Sequence, residues 1–203
     1  MLELTGSKHN IRIWKKQRAK YGFSMYDTFE IDTWFLKTIP DMLDVLIKNN
    51  QCISNIVIDE YLEKLNIEGV DTSNISDEDW EKYAEDTFKI WTNILIEMKH
   101  HFLEADSDTC SFKNKYEKEY QKALQEYQKE YGWFGEKKHP EIMTRNADGS
   151  TTYEVGYGFS DIPKYQEINK LYKEEEKRIE EYNNKHKAKA LEMFVKYFDD
   201  LCW

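Results

Sequence analysis

Apolar side chains recur at helical spacing through much of this chain. The strongest pattern follows an acidic helix start at residues 76–79 and keeps one face apolar or small as far as Phe102. A second pattern lies earlier in the chain, between residues 31 and 46. Such spacing is typical of amphipathic helices that pack on a core. The two patterns comprise Trp80, Tyr83, Ala84, Thr87, Phe88, Trp91, Leu95, Met98 and Phe102, and Ile31, Phe35, Ile39, Met42 and Leu46.

The segment from Tyr21 to Ile47 carries the signals of a turn followed by a central helix. Gly22 suits a sharp change of direction because glycine tolerates positive φ. Asp27 is predicted to be the N-cap of the helix, with Glu30 three residues later completing a capping box. Pro40 removes a backbone donor, so we expect a kink or a break near Ile39.

Two further stretches favour long charged helices joined by a β-hairpin. Residues 112–131 place Tyr116, Tyr120, Leu124, Tyr127 and Tyr131 on one face, and residues 161–200 continue a similar pattern. Between them, residues 141–155 contain two short β-type runs around an Asp-Gly turn. We expect the two helices to pair antiparallel.

These patterns predict a mainly α protein: a helical bundle with a long antiparallel helical arm and one small β-hairpin. Residues 1–20 form a basic lead-in. Residues 21–105 together with 188–203 form an aromatic-rich helical core. Residues 112–187 form the charged arm, with the hairpin near 141–155.

Composition narrows the classes of function. The chain has 29 Lys and Arg against 39 Asp and Glu, a net charge of −10, so it lacks the broad positive field that nucleic-acid binding requires. It contains no apolar run of 18 residues and no N-terminal signal pattern, which predicts a cytosolic protein without a membrane partner. The three cysteines are widely spaced and are expected to be buried small hydrophobes.

Both ends of the chain resemble a group of small tailed-bacteriophage proteins. The first match is Gly22-Phe23-Ser24, Asp27-Thr28-Phe29, Asp32 and Pro40, which is similar to a G-F-S-x-x-D-T-W-x-L-D segment followed by a helix with a proline. Phe29 stands where the group more often has Trp. The second match resembles a closing LF-x-K-Y-F-x-x-L-W segment. It consists of Ala190-Leu191, Phe194, Lys196-Tyr197-Phe198, Leu201 and Trp203. The resemblance implies a phage origin, and therefore the cytoplasm of an infected bacterium, rather than a reaction.

Two groups of side chains are candidates for metal chemistry. Asp27, Glu30 and Asp32 place three carboxylates within six residues, and Asp32 has no local structural role in the pattern. Glu97-x-x-His100 has the i, i+3 spacing of di-iron helix bundles. The other ligands of such a site are missing from the sequence, so Glu97 and His100 are weak metal candidates, and we interpret them as part of a polar helix face. No cofactor is predicted.

The sequence favours a non-enzymatic phage accessory protein that binds a host protein, with inhibition of a host anti-phage defence system as one form of that activity. A second hypothesis is a binder that sequesters a small nucleotide signal, in which aromatic rings stack on the base and basic side chains meet the phosphate. The candidate binding residues are Arg18, Lys20, Tyr21, Tyr26, Asp32 and Trp34. A metal-dependent enzyme is a third hypothesis and a structural protein of the virion a fourth, and homo-oligomerisation is compatible with each of them.

Overall fold

The computed structural model describes residues 3–70, 72, 75–154 and 157–201. The predicted fold class is confirmed, because these residues form six α-helices and one two-stranded antiparallel hairpin. Cys202 and Trp203 of the predicted closing segment lie outside the described residues. The helices are α1 (Lys8–Tyr21), α2 (Ile31–Asn49), α3 (Asn55–Ile67), α4 (Asp77–Ala105), α5 (Glu117–Tyr131) and α6 (Pro163–Lys196); the strands are β1 (Met143–Arg145) and β2 (Thr151–Tyr153).

Serine side chains begin three of the helices. Ser7, Ser54 and Ser76 each accept a hydrogen bond from the backbone N–H three residues later, which satisfies a donor that the helix itself leaves open. The Ser76 cap and the acidic residues that follow it agree with the sequence prediction for α4. At the other end of α1, Gly22 adopts φ +80°, so the predicted turn glycine is confirmed.

The predicted start of α2 is wrong. The helix begins at Ile31, and its N-cap residue Glu30 makes no side-chain capping bond. Asp27 lies in the turn before the helix and binds Arg18 and Ser24 instead. The sequence predicts a kink or a break near Ile39. The helix does not break there, because α2 continues through Pro40 to Asn49, and the kink stays a prediction.

Contacts divide the chain into two compact units. The first unit comprises residues 1–111 and 183–203, and the second comprises residues 112–182. The boundary at 182/183 falls within α6, so both units contain part of that helix.

The core of the first unit is built from α2, α3, α4 and the C-terminal part of α6. Its largest fully buried side chains include Trp91, Phe102 and Leu95 of α4. Three phenylalanine rings meet edge to face in this core. The centre of the Phe35 ring lies 5.5 Å from that of Phe194 and 5.7 Å from that of Phe102. The buried cluster consists of Ile39, Leu43, Val57, Trp91, Leu95, Met98, Phe102, Ala190, Met193 and Tyr197.

The second unit pairs α5 antiparallel with the first part of α6. The Tyr120 ring stacks on the Tyr172 ring with their centres 3.9 Å apart. Tyr127, seven residues later on α5, contacts Tyr165, seven residues earlier on α6, as antiparallel helices require. The hairpin pairs Thr144 with Thr152, and Gly149 supplies the positive φ that its turn requires.

The described residues contain no helix that is long and apolar enough to cross a membrane. The expectation for the cysteines holds for Cys110, which is buried. It is wrong for Cys52, which is exposed in the loop between α2 and α3.

Candidate functional site

The candidate residue Arg18 forms a partly buried ion pair with Asp27. Its Nε donates to Asp27 Oδ2 at 2.9 Å, and its Nη2 contacts the other carboxylate oxygen. The backbone N–H and the hydroxyl of Ser24 also donate to Asp27 Oδ2, at 2.7 and 2.8 Å. The hydrogen bond from Arg18 lowers the pKa of Asp27, with smaller contributions from Ser24, although burial opposes them. Asp27 therefore fastens α1 to the turn before α2.

The candidate tyrosines also have structural contacts. Tyr26 packs against Trp14 with ring centroids 4.8 Å apart, and its hydroxyl lies 2.8 Å from Thr5 Oγ1. Tyr21 is exposed, and the Lys20 ammonium lies 4.8 Å from the centre of its ring. These contacts hold Tyr26 against residues near the N-terminus and leave the Tyr21 ring open to solvent.

Asp32 and Trp34 lie at the start of α2. Asp32 is exposed in the first turn, where a carboxylate interacts favourably with the positive end of the helix dipole. Trp34 is half-buried, and its indole nitrogen is enclosed without a hydrogen-bond partner among the described residues. Nucleotide binding gains no support from this arrangement and stays a prediction.

A histidine pair lies between α4 and α6 in the first unit. The Nδ1 atoms of His101 and His186 are 2.9 Å apart, so one nitrogen donates a hydrogen bond to the other. Glu97 Oε1 lies 3.6 Å from His101 Nε2 on the opposite side of the ring. His100, the residue that the sequence paired with Glu97, is exposed, and its ring centre lies 5.8 Å from that of His186. Glu97 thus faces His101, four residues later, rather than His100, three residues later.

Burial and nearby charges act together on His186. Burial lowers the pKa of His186, and the nearby His101 lowers it further by a smaller amount. The neutral form of His186 is therefore favoured. Glu104, which is buried one turn further along α4, opposes that shift. Its Oε2 accepts hydrogen bonds from both the backbone N–H and the hydroxyl of Ser111. Among the described residues, no group of three or more His, Cys, Asp or Glu side chains is placed to hold a metal ion.

An apolar cleft of about 520 Å³ lies along α2 in the first unit. Its floor includes Ile39 and Leu43, which are buried members of the core. Its walls include Met42, Val45 and Phe198, whose side chains are 60%, 48% and 61% exposed. The cleft is therefore open to solvent although most of its lining is hydrocarbon.

Sequence patterns missed the role of these residues. Met42 belongs to the same periodic stripe as Ile39 and Leu46, so its spacing predicts core packing as well as theirs does. His186 lies 85 residues from His101 and has no local motif that connects the two. Only the packing of α6 on α4 brings the histidines together.

Comparison with known proteins adds no family to this geometry. No protein-family model, curated protein or solved structure matches the chain. These comparisons therefore assign no function to the chain.

Proposed function

We propose that this protein is a non-enzymatic binding protein, and that the apolar cleft along α2 receives a segment of its partner. The observation that carries the proposal is the exposure of Met42, Val45 and Phe198 around one cleft. Large apolar side chains that share an open cleft gain free energy when a partner removes them from water. Single exposed apolar residues scattered over a surface would carry no such meaning.

The occupant that fits this cleft is an amphipathic helix with basic residues beside its apolar face. Apolar grooves along helices receive such segments through anchors spaced three or four residues apart. Asp41 lines the cleft, and acidic residues outnumber basic ones in the unit that contains it. These carboxylates favour lysine or arginine at the flanks of the bound segment and would accelerate its association at low salt.

Charge also argues against a second copy of this chain as the occupant. The first unit contains 16 Lys and Arg against 24 Asp and Glu, a net charge of −8. A symmetric dimer through the cleft would place each patch against its own copy. Asp41 of each copy and the net negative charge of its unit would then face like charge, which is unfavourable.

The resemblance to tailed-phage proteins suggests where the partner comes from. A phage accessory protein acts inside the infected bacterium, so we propose a host protein as the partner. Inhibition of a host anti-phage defence protein is the activity that we would test first, because a binder without catalytic groups can act by occupying a surface.

The cleft is tested by capture of partners from host lysate at physiological salt, followed by quantitative mass spectrometry. Wild-type protein is compared with Met42→Glu, which places a charge in the apolar wall. Ile67→Glu is the matched control, because Ile67 is 81% exposed at the end of α3 and does not line the cleft. We expect a stoichiometric partner that is retained by wild type and by the control but lost from Met42→Glu.

The partner is then purified and its binding segment mapped by cross-linking from position 42. A basic amphipathic helix cross-linked at the cleft would support the proposal. Equal recovery of the partner by Met42→Glu, or the absence of any stoichiometric partner, would contradict it. A dimer of this chain that Met42→Glu dissociates would replace the proposed partner with a second copy.

A further inference from the structure

We propose that His101 and His186 form a binding site for a divalent transition-metal ion of the Zn²⁺, Ni²⁺ or Cu²⁺ class, held between α4 and α6. This site is separate from the protein-binding cleft and does not depend on it. It would join two helices of the first unit that are far apart in sequence.

The spacing of the two nitrogens matches that of neighbouring ligands on one metal ion. Zinc–imidazole bonds are about 2.0–2.1 Å long, so two nitrogens that meet at about 90–109° at the metal lie roughly 2.9–3.4 Å apart. His101 Nδ1 and His186 Nδ1 are 2.9 Å apart. Small rotations of the two rings would direct both lone pairs at a shared ion.

The environment of His101 favours the tautomer that such an ion needs. The imidazole must be neutral, with Nδ1 unprotonated and the remaining proton on Nε2. Glu97 Oε1 lies 3.6 Å from Nε2, where a carboxylate stabilises an N–H at that position. Metal-ligating histidines commonly face a carboxylate in this way, and the carboxylate orients the ring and raises its basicity.

Metal binding replaces the hydrogen bond between the histidines. In the metal-free pair one Nδ1 carries a proton and donates a hydrogen bond, and the other Nδ1 accepts that bond. If His101 is the donor, its proton moves to Nε2 beside Glu97; if His186 is the donor, its proton moves to its own Nε2. In either case two neutral imidazoles ligate the ion, and no redox change is needed.

Within the described part of the chain, His101 and His186 supply the two nitrogen ligands, and water would complete the coordination sphere. Such a site binds metal reversibly and more weakly than a closed structural zinc site with four protein ligands. Hard cations such as Mg²⁺ prefer oxygen ligands and are not expected to compete. The site is suited to clamping α4 to α6 when the metal is present.

Isothermal titration of the full-length protein with ZnCl₂ tests the proposal, with MgCl₂ as the control cation. We expect one Zn²⁺ per chain and a rise in melting temperature. His101→Gln and His186→Gln should each weaken binding at least about tenfold, and Glu97→Gln, which leaves both ligands in place, should weaken it less than either. His139→Gln is the matched control, because His139 lies in the second unit, and it should leave the affinity unchanged.

A second readout protects the test against variants that fold poorly. Addition of Co²⁺ to wild-type protein should give visible absorption bands that Zn²⁺ displaces, while far-ultraviolet circular dichroism reports the fold of each variant. Zinc binding that survives in a folded His101→Gln, His186→Gln double variant would overturn the proposal. So would the absence of both zinc binding and cobalt bands in the wild type.

Discussion

The two units bury their aromatic rings in different ways. The first unit packs Trp91 and Phe102 among aliphatic side chains and other rings from several helices, and the buried cluster among its described residues contains one tyrosine. The second unit relies on tyrosines of α5 and α6, and Tyr127 and Tyr165 are 1% and 2% exposed. A buried phenol needs a hydrogen-bond partner, which an aliphatic group does not. Stability should therefore depend chiefly on apolar volume in the first unit and more on polar partners in the second.

The largest effect is expected from Leu95→Ala in the first unit. Leu95 is fully buried, so truncation removes apolar contacts and leaves a cavity that its neighbours only partly fill. We expect a loss of about 2–5 kcal/mol in the free energy of unfolding, measured by urea denaturation. Ile96→Ala is the adjacent control, because Ile96 is 49% exposed and should lose far less. Equal losses at both positions would contradict the assignment of the core.

Asp27→Asn tests a polar anchor of the first unit that apolar packing cannot replace. Loss of the charge weakens the hydrogen bonds from Arg18 and Ser24 and should cost roughly 1.5–3 kcal/mol. The pKa of Asp27 is lowered in the folded state from an ordinary value of 3.8. Its contribution is therefore complete above that value and declines as the pH falls through the folded-state pKa.

Denaturation of wild type and Asp27→Asn across the acid range measures this contribution. The stability difference between them should be constant above about pH 5 and should shrink below the ordinary aspartate pKa. A difference that grows on acidification would contradict the ion pair, since protonation would then be strengthening the contact.

Tyr127→Phe tests the dependence of the second unit on polar partners. The Tyr127 hydroxyl donates to the Tyr157 carbonyl at 2.6 Å, and its loss leaves that carbonyl without this donor. We expect a cost of about 1–2 kcal/mol, seen as faster hydrogen exchange in peptides from α5. Tyr131→Phe removes the hydroxyl from the ring that stacks on Tyr127 and keeps the ring itself, so it should cost less than about 0.5 kcal/mol. If the two variants behave alike, ring packing and not the phenol supports this unit.

The smallest effect is expected from Met42→Glu at the cleft. Met42 is 60% exposed, so the substitution should change the free energy of unfolding by less than about 0.5 kcal/mol. The measurement is the same urea titration. A loss comparable with that of Leu95→Ala would show that Met42 belongs to the core, and the loss of a partner would then reflect unfolding.

Local signals predicted local structure well in this chain. Ser76 and the acidic residues after it located the start of α4, and Asp148-Gly149 located the hairpin turn, because caps and turns depend on neighbouring residues. Asp27 has an equally good capping pattern, but its carboxylate is taken by Arg18, nine residues earlier. A capping motif does not encode the presence of a competing cation.

The cleft and the histidine pair depend on how the helices pack, which local sequence patterns do not show. Periodicity assigns Met42 and Ile39 to one apolar face, yet the neighbouring helices cover Ile39 and leave Met42 exposed. The exposed part of a broad apolar face is decided by how helices cross. The histidine pair has the same origin, since one member lies on α4 and the other on α6.

The order of the units along the chain has a consequence for synthesis. The first unit takes Ala190, Met193 and Tyr197 into its core, and these residues are translated after the whole of the second unit. A ribosome therefore delivers a complete second unit while the earlier helices still lack their last packing partner. Until α6 is finished, the apolar faces of α2 and α4 are open to chaperones and to other nascent chains.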